Sequence, residues 1–303
     1  MADLFDRAAQ QGVELARRIV RETQARDAAV SAGTRRFGGH LILEGDSWFD
    51  YPFFKDIAES LKKDYSYQVK SAARHGHTAE AMAYIPKQLE EVHDLFKELA
   101  DERKKARAIL LSCGGNDFVG VFDAVLNHKH PDVPPLNASV LAGQLREEIP
   151  RTIVHLVSSL VTFSDEYFKE RRPILIHGYA HPVPDGRDYP ILGMSGPWLQ
   201  PVFVRKGYVS SDPQPPAELR ANTKVMAELI GYFNEVTLPL VITEVKSRFG
   251  DVIVPVDLRS DFSNDLAGNA YQKDWRDEMH GTAEAYERAA ARIDRAIQQI
   301  PMP

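Results

Sequence analysis

The sequence predicts a three-layer α/β/α domain built on a five-stranded parallel sheet. Two observations carry this expectation. Five short apolar runs, His40–Glu44, Tyr67–Ser71, Ala108–Ser112, Pro173–His177 and Val252–Val256, read as buried parallel strands. Long helical patterns separate them, and strands that alternate with helices imply right-handed crossovers and a sheet covered on both faces. At 303 residues the chain is long enough to bury a full core.

Between residues 3 and 28, Phe5, Ala8, Val13, Ala16, Ile19 and Val20 recur at helical spacing with charges between them, which predicts one N-terminal helix. Residues 1–36 therefore form an accessory segment that docks on the domain, and a homo-oligomer would be built through it. The domain itself spans 37–303. Its first strand leads to a helix over Phe53–Lys63, its second to Thr78–Arg103, its third to Val140–Arg171 and its fourth to Pro215–Arg248; after the fifth, a last helix covers Thr282–Ile300. The expected strand order is 2-1-3-4-5. Residues 178–214 break the rhythm, with many Pro and Gly among Tyr189, Ile191, Trp198, Phe203 and Tyr208, and are too long for a plain connection. They read as a substrate loop or lid.

Composition narrows the function classes. A formal charge of -6 provides no electrostatic footprint for nucleic acid. The single cysteine, Cys113, cannot form an intramolecular disulfide or a multi-cysteine zinc site and reads as a buried small hydrophobe. The N-terminus, Met1-Ala2-Asp3-Leu4-Phe5-Asp6, lacks the basic start and apolar run of a signal peptide, so a cytoplasmic location is expected. No apolar segment of membrane-spanning length is expected.

In an open parallel sheet the ligand site lies beyond the carboxyl ends of the strands. There the chain places Gly45-Asp46-Ser47-Trp48, Arg74-His75-Gly76-His77, Gly114-Gly115-Asn116-Asp117 and, beyond the fifth strand, Asp277 and His280. A serine hydroxyl needs a base to take its proton, and the base needs a third group to orient it. Ser47, His280 and Asp277 supply these functions, and the three-residue separation of the last two lets one turn-like segment join Asp277 to His280. An oxyanion requires preorganised donors; the candidates are the Ser47 N–H at a helix start, the Gly76 N–H and the Asn116 side-chain amide.

With these blocks in order, the chain resembles the SGNH hydrolases, or GDSL esterases and lipases, over about residues 38–300. The resemblance implies a flavodoxin-like sheet, a nucleophile at Ser47, oxyanion donors at Gly76 and Asn116, and a base and acid at His280 and Asp277. It implies no cofactor and no metal. Two positions depart from the family pattern: Trp48 stands where leucine is usual, and Gly281 where proline is common.

The expected activity is cleavage of carboxylic esters through an acyl-enzyme, the substrate being a lipid-like acyl ester or an O-acetylated sugar. Trp48, Tyr179, His181 and Trp198 are substrate-binding candidates, Trp198 and the tyrosines being able to stack on a sugar ring. Two other readings stand beside this one. A two-metal phosphoesterase would use Asp46, Asn116 and the rim histidines His75, His77, His177 and His181. The other is a non-catalytic binding protein on a hydrolase scaffold; taken singly, Asp46 or Ser47 also reads as a helix cap, Asn116 and Asp117 as a turn, and Asp277 with His280 as an acid and an exposed residue at a helix start.

Overall fold

Strands β1 (Gly39–Gly45), β2 (Tyr67–Ser71), β3 (Ala106–Ser112), β4 (Ile174–His177) and β5 (Ile253–Val256) pair in parallel in the order β2-β1-β3-β4-β5. This is the predicted order. Every residue of β1, β3 and β4 is buried, whereas the edge strands β2 and β5 mix buried and partly exposed positions. A parallel sheet sandwiched between helices requires that pattern. The computed structural model describes residues 37–188 and 196–301, together with Arg17, Arg21, Gln24, Ala25 and Ala28, which are helical. The remainder of the predicted N-terminal helix, and Tyr189 and Ile191 of the long loop, lie outside the described residues.

The helices are α1 (Ile57–Tyr65), α2 (Ala79–Tyr84), α3 (Pro86–Asp101), α4 (Gly115–Val125), α5 (Ala138–Ala142), α6 (Ile149–Phe168), α7 (Gln200–Arg205), α8 (Pro216–Tyr232), α9 (Leu238–Phe249) and α10 (Ala283–Gln298). One outer layer pairs α1 with α10, and in the other α2, α3 and α9 pack on α6.

Four features differ from the sequence expectation, most for a local reason. Helix α1 starts at Ile57 rather than Phe53 because the Asp56 carboxylate caps it, accepting from Glu59 N at 2.8 Å, while its other oxygen accepts from Tyr51 N at 3.0 Å. The single helix expected over Thr78–Arg103 is two, since Pro86 has no N–H to continue the ladder and starts a new helix instead. Helices α4 and α7 were not foreseen. Finally, the run Pro216–Phe249, continuous through a π turn at Phe233–Thr237, does have the length and apolar composition of a membrane span, which the sequence reading did not expect. Its Met226, Leu229, Phe233, Val241 and Val245 are buried in the domain core, as in a core helix.

Candidate active site

The nucleophile candidate sits on the tight turn by which the chain leaves β1. The strand ends at Gly45, where a Cβ would lie 2.8 Å from the Ser112 Cβ, so only glycine lets β1 and β3 close together there. The chain then folds around Asp46. Its carbonyl accepts from Phe49 N and Asp50 N, both at 3.1 Å; its Oδ1 accepts from Trp48 N at 3.0 Å and Ser112 Oγ at 2.7 Å; its Oδ2 accepts from the Tyr179 hydroxyl. Ser47 is thus held on a turn, not at the start of a helix, which corrects the sequence expectation. Its N–H donates to no acceptor among the described residues.

Acid and base come from one closed loop. Arg276 N donates to His280 O at 2.8 Å and Thr282 N to Asp274 O at 2.9 Å, while the Trp275 indole N–H donates to Ser263 O at 2.9 Å and pins the loop to the core. Within it, Asp277 Oδ1 accepts from Met279 N and His280 N, both at 2.8 Å. His280 Nδ1 lies 3.0 Å from both Asp277 carboxylate oxygens, and Nε2 lies 2.9 Å from Ser47 Oγ. A carboxylate only accepts, so Nδ1 carries the proton and Nε2 is left to accept from the serine. The three predicted residues, two of them 233 positions apart, therefore form one hydrogen-bonded chain.

Asp277 is fully buried. Burial pushes its carboxyl up, but hydrogen bonding and attraction from His280, the Met279 N–H and the Tyr51 hydroxyl outweigh this and hold it below its ordinary range. Tyr51 was missed at the sequence level. Its hydroxyl donates to Asp277 Oδ2 at 2.8 Å, and its ring stacks on His280 with centroids 4.1 Å apart and planes 16° apart.

Gly76 and Asn116 border the same cleft as Ser47 and His280. Gly76 has φ +80°, a conformation that favours glycine, and its N–H has no acceptor among the described residues. Asn116 lies in the first turn of α4 and uses one amide hydrogen to donate to His77 O at 2.8 Å, which fixes the side chain and leaves its second hydrogen for a ligand. Asp117 next to it caps α2 instead, accepting from Ala79 N at 2.8 Å.

The substrate-binding candidates separate. Trp198 packs edge-on to His280, with centroids 5.3 Å apart, and borders the cleft. Trp48 is buried and packs against His177, Tyr179, Phe262, Trp275 and Tyr286, although one edge borders a small inner cavity together with Tyr179. His181 borders neither space.

The ligand set of the two-metal reading does not come together. Both oxygens of Asp46 are engaged, and His177 is buried with Nδ1 against Gly178 O at 2.9 Å. Among the described residues no group of three or more His, Cys, Asp and Glu is arranged to hold an ion.

A second residue invisible to the sequence reading is Glu278, which is fully buried between Asp277 and His280. Its Oε1 accepts from Gly186 N and Gln200 N, both at 3.0 Å, and its Oε2 from Trp198 N and Leu199 N, both at 2.7 Å. One carboxylate thus fastens the backbone that carries Trp198 to the loop that carries His280. Burial pushes its carboxyl up to about 7, against the four N–H donors.

No family model and no curated protein matches the sequence. Among solved structures, the chain is similar to a lipase from a goat rumen metagenome, at 13% identity over 85% of this chain and 96% of that one, with a TM-score of 0.47. It is similar to an acetylxylan esterase from Geobacillus stearothermophilus, at 15% identity over 86% and 94%, with a TM-score of 0.43. It is also similar to a GDSL-like lipase from Bacteroides thetaiotaomicron, at 11% identity over 86% and 89%, with a TM-score of 0.40.

Proposed function

We propose that this chain is a serine esterase of the SGNH type, cleaving carboxylic esters through an acyl-enzyme on Ser47. The observation that carries the reading is the hydrogen-bonded chain from Ser47 Oγ through His280 to Asp277, with Ser47 N–H, Gly76 N–H and Asn116 Nδ2 at the same cleft. Ser47 Oγ attacks the ester carbonyl carbon as its proton passes to His280 Nε2. Asp277 stabilises the resulting imidazolium, and the three donors stabilise the oxyanion. Collapse breaks the bond to the alcohol oxygen, which takes the proton from Nε2, leaving the acyl group on Ser47. Water then attacks the acyl-enzyme by the same route, its proton passing to His280, and the carboxylic acid leaves as Oγ is reprotonated.

A fluorophosphonate probe, together with turnover of chromogenic acetyl and longer acyl esters, tests this in the wild type and in Ser47→Ala. Expected are labelling and turnover that both vanish in the variant and do not respond to chelator. Chelator-sensitive turnover that survives Ser47→Ala overturns the serine mechanism in favour of metal-dependent hydrolysis. A wild type with neither labelling nor turnover across the ester panel overturns it in favour of a binding protein.

A further inference from the structure

Two spaces meet at Ser47 and differ in size. The outer one is a cleft of about 430 Å³ bordered by Tyr51, His75, Gly76, Trp198 and His280. The inner one is a smaller cavity of about 50 Å³ between α4 and α8, bordered by Phe118, Phe122, Met226, Leu229, Ile230 and Trp275. Ser47, Asn116, Val119 and Met279 border both.

On the esterase reading, we propose that the inner cavity receives the acyl group and the outer cleft the alcohol, so that the substrates are short-chain acyl esters of bulky alcohols. The position of the base fixes this direction. The departing alcohol oxygen must take its proton from His280 Nε2, and His280 borders the outer cleft alone. The alcohol therefore lies outward, and the acyl chain is left to point inward past Asn116.

Size and chemistry then select the acyl group. A water-sized atom needs about 10–15 Å³, so a cavity of about 50 Å³ accommodates roughly three to five heavy atoms, the size of a butanoyl chain. The walls are apolar, and the carboxylate of Asp46 is already engaged by Trp48, Ser112 and Tyr179. A charged or hydroxylated acyl chain would lose its water without finding a partner there.

The test is a series of 4-nitrophenyl esters from acetate to octanoate with the full-length protein. For the wild type, kcat/KM is expected to rise about 4-fold per buried methylene up to butanoate, then fall at least roughly 10-fold by octanoate, where the chain exceeds the cavity. Met226→Ala lengthens the cavity and moves the optimum from butanoate to hexanoate. With butanoyl fixed, Trp198→Ala lowers kcat/KM for a naphthyl ester more than for the methyl ester.

A wild-type profile that is flat or still rising at octanoate overturns the assignment and needs no variant to fold. So does a folded Met226→Ala with an unmoved optimum. Acetate turnover with Ser47 labelling but a flat profile removes the two-cavity assignment alone. Absence of both turnover and labelling removes the esterase reading and this inference together.

Discussion

Replacing Tyr51 by phenylalanine removes one hydroxyl and nothing else from the candidate site. That hydroxyl donates at 2.8 Å to Oδ2 of Asp277, a fully buried carboxylate whose other contacts are His280 Nδ1 and two backbone N–H groups. Hydrogen bonds to a charged group contribute about 1.5–3 kcal/mol, so a loss of about 2 kcal/mol of stability is expected, or roughly 4 °C in melting temperature. If half of that bears on the placement of His280, kcat falls roughly 5-fold. The ring remains stacked on His280, so KM should not change.

The same variant shifts acid unfolding. Asp277 is held below its ordinary 3.8, so its stabilisation is present above that value and is lost as pH falls through the folded-state value. Without the Tyr51 hydroxyl the folded-state value rises, and Tyr51→Phe should unfold at a higher pH than the wild type. Tyr51→Ala also removes the ring that walls in the imidazole, and kcat should fall by roughly 100-fold, the scale of a misplaced general base. Steady-state kinetics and circular dichroism during acid titration measure all three effects. If Tyr51→Phe matches the wild type in kcat and in its acid midpoint, the hydroxyl does nothing for Asp277 and the reasoning fails.

Asn116→Ala removes one oxyanion donor and should lower kcat by roughly 10²–10³-fold with little change in KM; a variant within a few-fold of wild type would show that the amide serves only His77. Glu44, buried at the end of β1, has its carboxyl pushed up to about 8 by burial, against hydrogen bonds from Gln88 and the Gly45 N–H. A raised folded-state value means that stability is full below the ordinary 4.5 and declines as pH rises through about 8, by up to about 5 kcal/mol. Glu44→Gln should therefore gain on the wild type in urea unfolding as pH rises from the ordinary carboxylate range through about 8, and parallel curves for the two proteins would contradict this. Glu278→Gln turns an amide N–H₂ toward backbone donors that now meet a carboxylate, with an expected cost of about 2–4 kcal/mol and easier proteolysis between Gly186 and Gln200; an unchanged melting temperature and cleavage pattern would exclude the fastening role.

The sheet was legible because burial on both faces leaves its mark in sequence: β1, β3 and β4 carry runs of apolar residues such as Leu41–Leu43, Ala108–Leu111 and Ile174–Ile176, and their order accords with the crossover rules. Helix α4 was not legible, since Gly114-Gly115-Asn116-Asp117 reads as a turn and its apolar Phe118 and Phe122 give too short a period to outweigh that. The Ser47, Asp277 and His280 positions were legible because each follows a strand end or precedes the last helix. Tyr51 was not, because its partner Asp277 is 226 residues away and nothing local marks the pairing. Glu278 was hidden differently: beside Asp277 it reads as one more surface acid, and only the fold shows four N–H groups converging on it.

The same division runs through Gly45-Asp46-Ser47-Trp48. Gly45 is there because β3 leaves no room for a Cβ, and Trp48 because the core beneath β4 takes an aromatic stacked on His177 at 5.4 Å. Asp46 holds the turn by linking it to Ser112 on β3 and to Tyr179 beyond β4, so three adjacent strand ends fix the position of one hydroxyl. Only Ser47 faces His280. Three of the four residues thus act by placing the fourth, and the distance from Ser47 Oγ to His280 Nε2 depends on contacts from β3 and β4 as much as on the serine itself. Substitution of Asp46 by asparagine leaves the nucleophile in place chemically but replaces one accepting oxygen by an N–H₂, which cannot accept from the Tyr179 hydroxyl or, in the other orientation, from Trp48 N–H and Ser112 Oγ. A protein that reads as a triad in sequence should then lose kcat without losing Ser47, and steady-state kinetics beside fluorophosphonate labelling would show it.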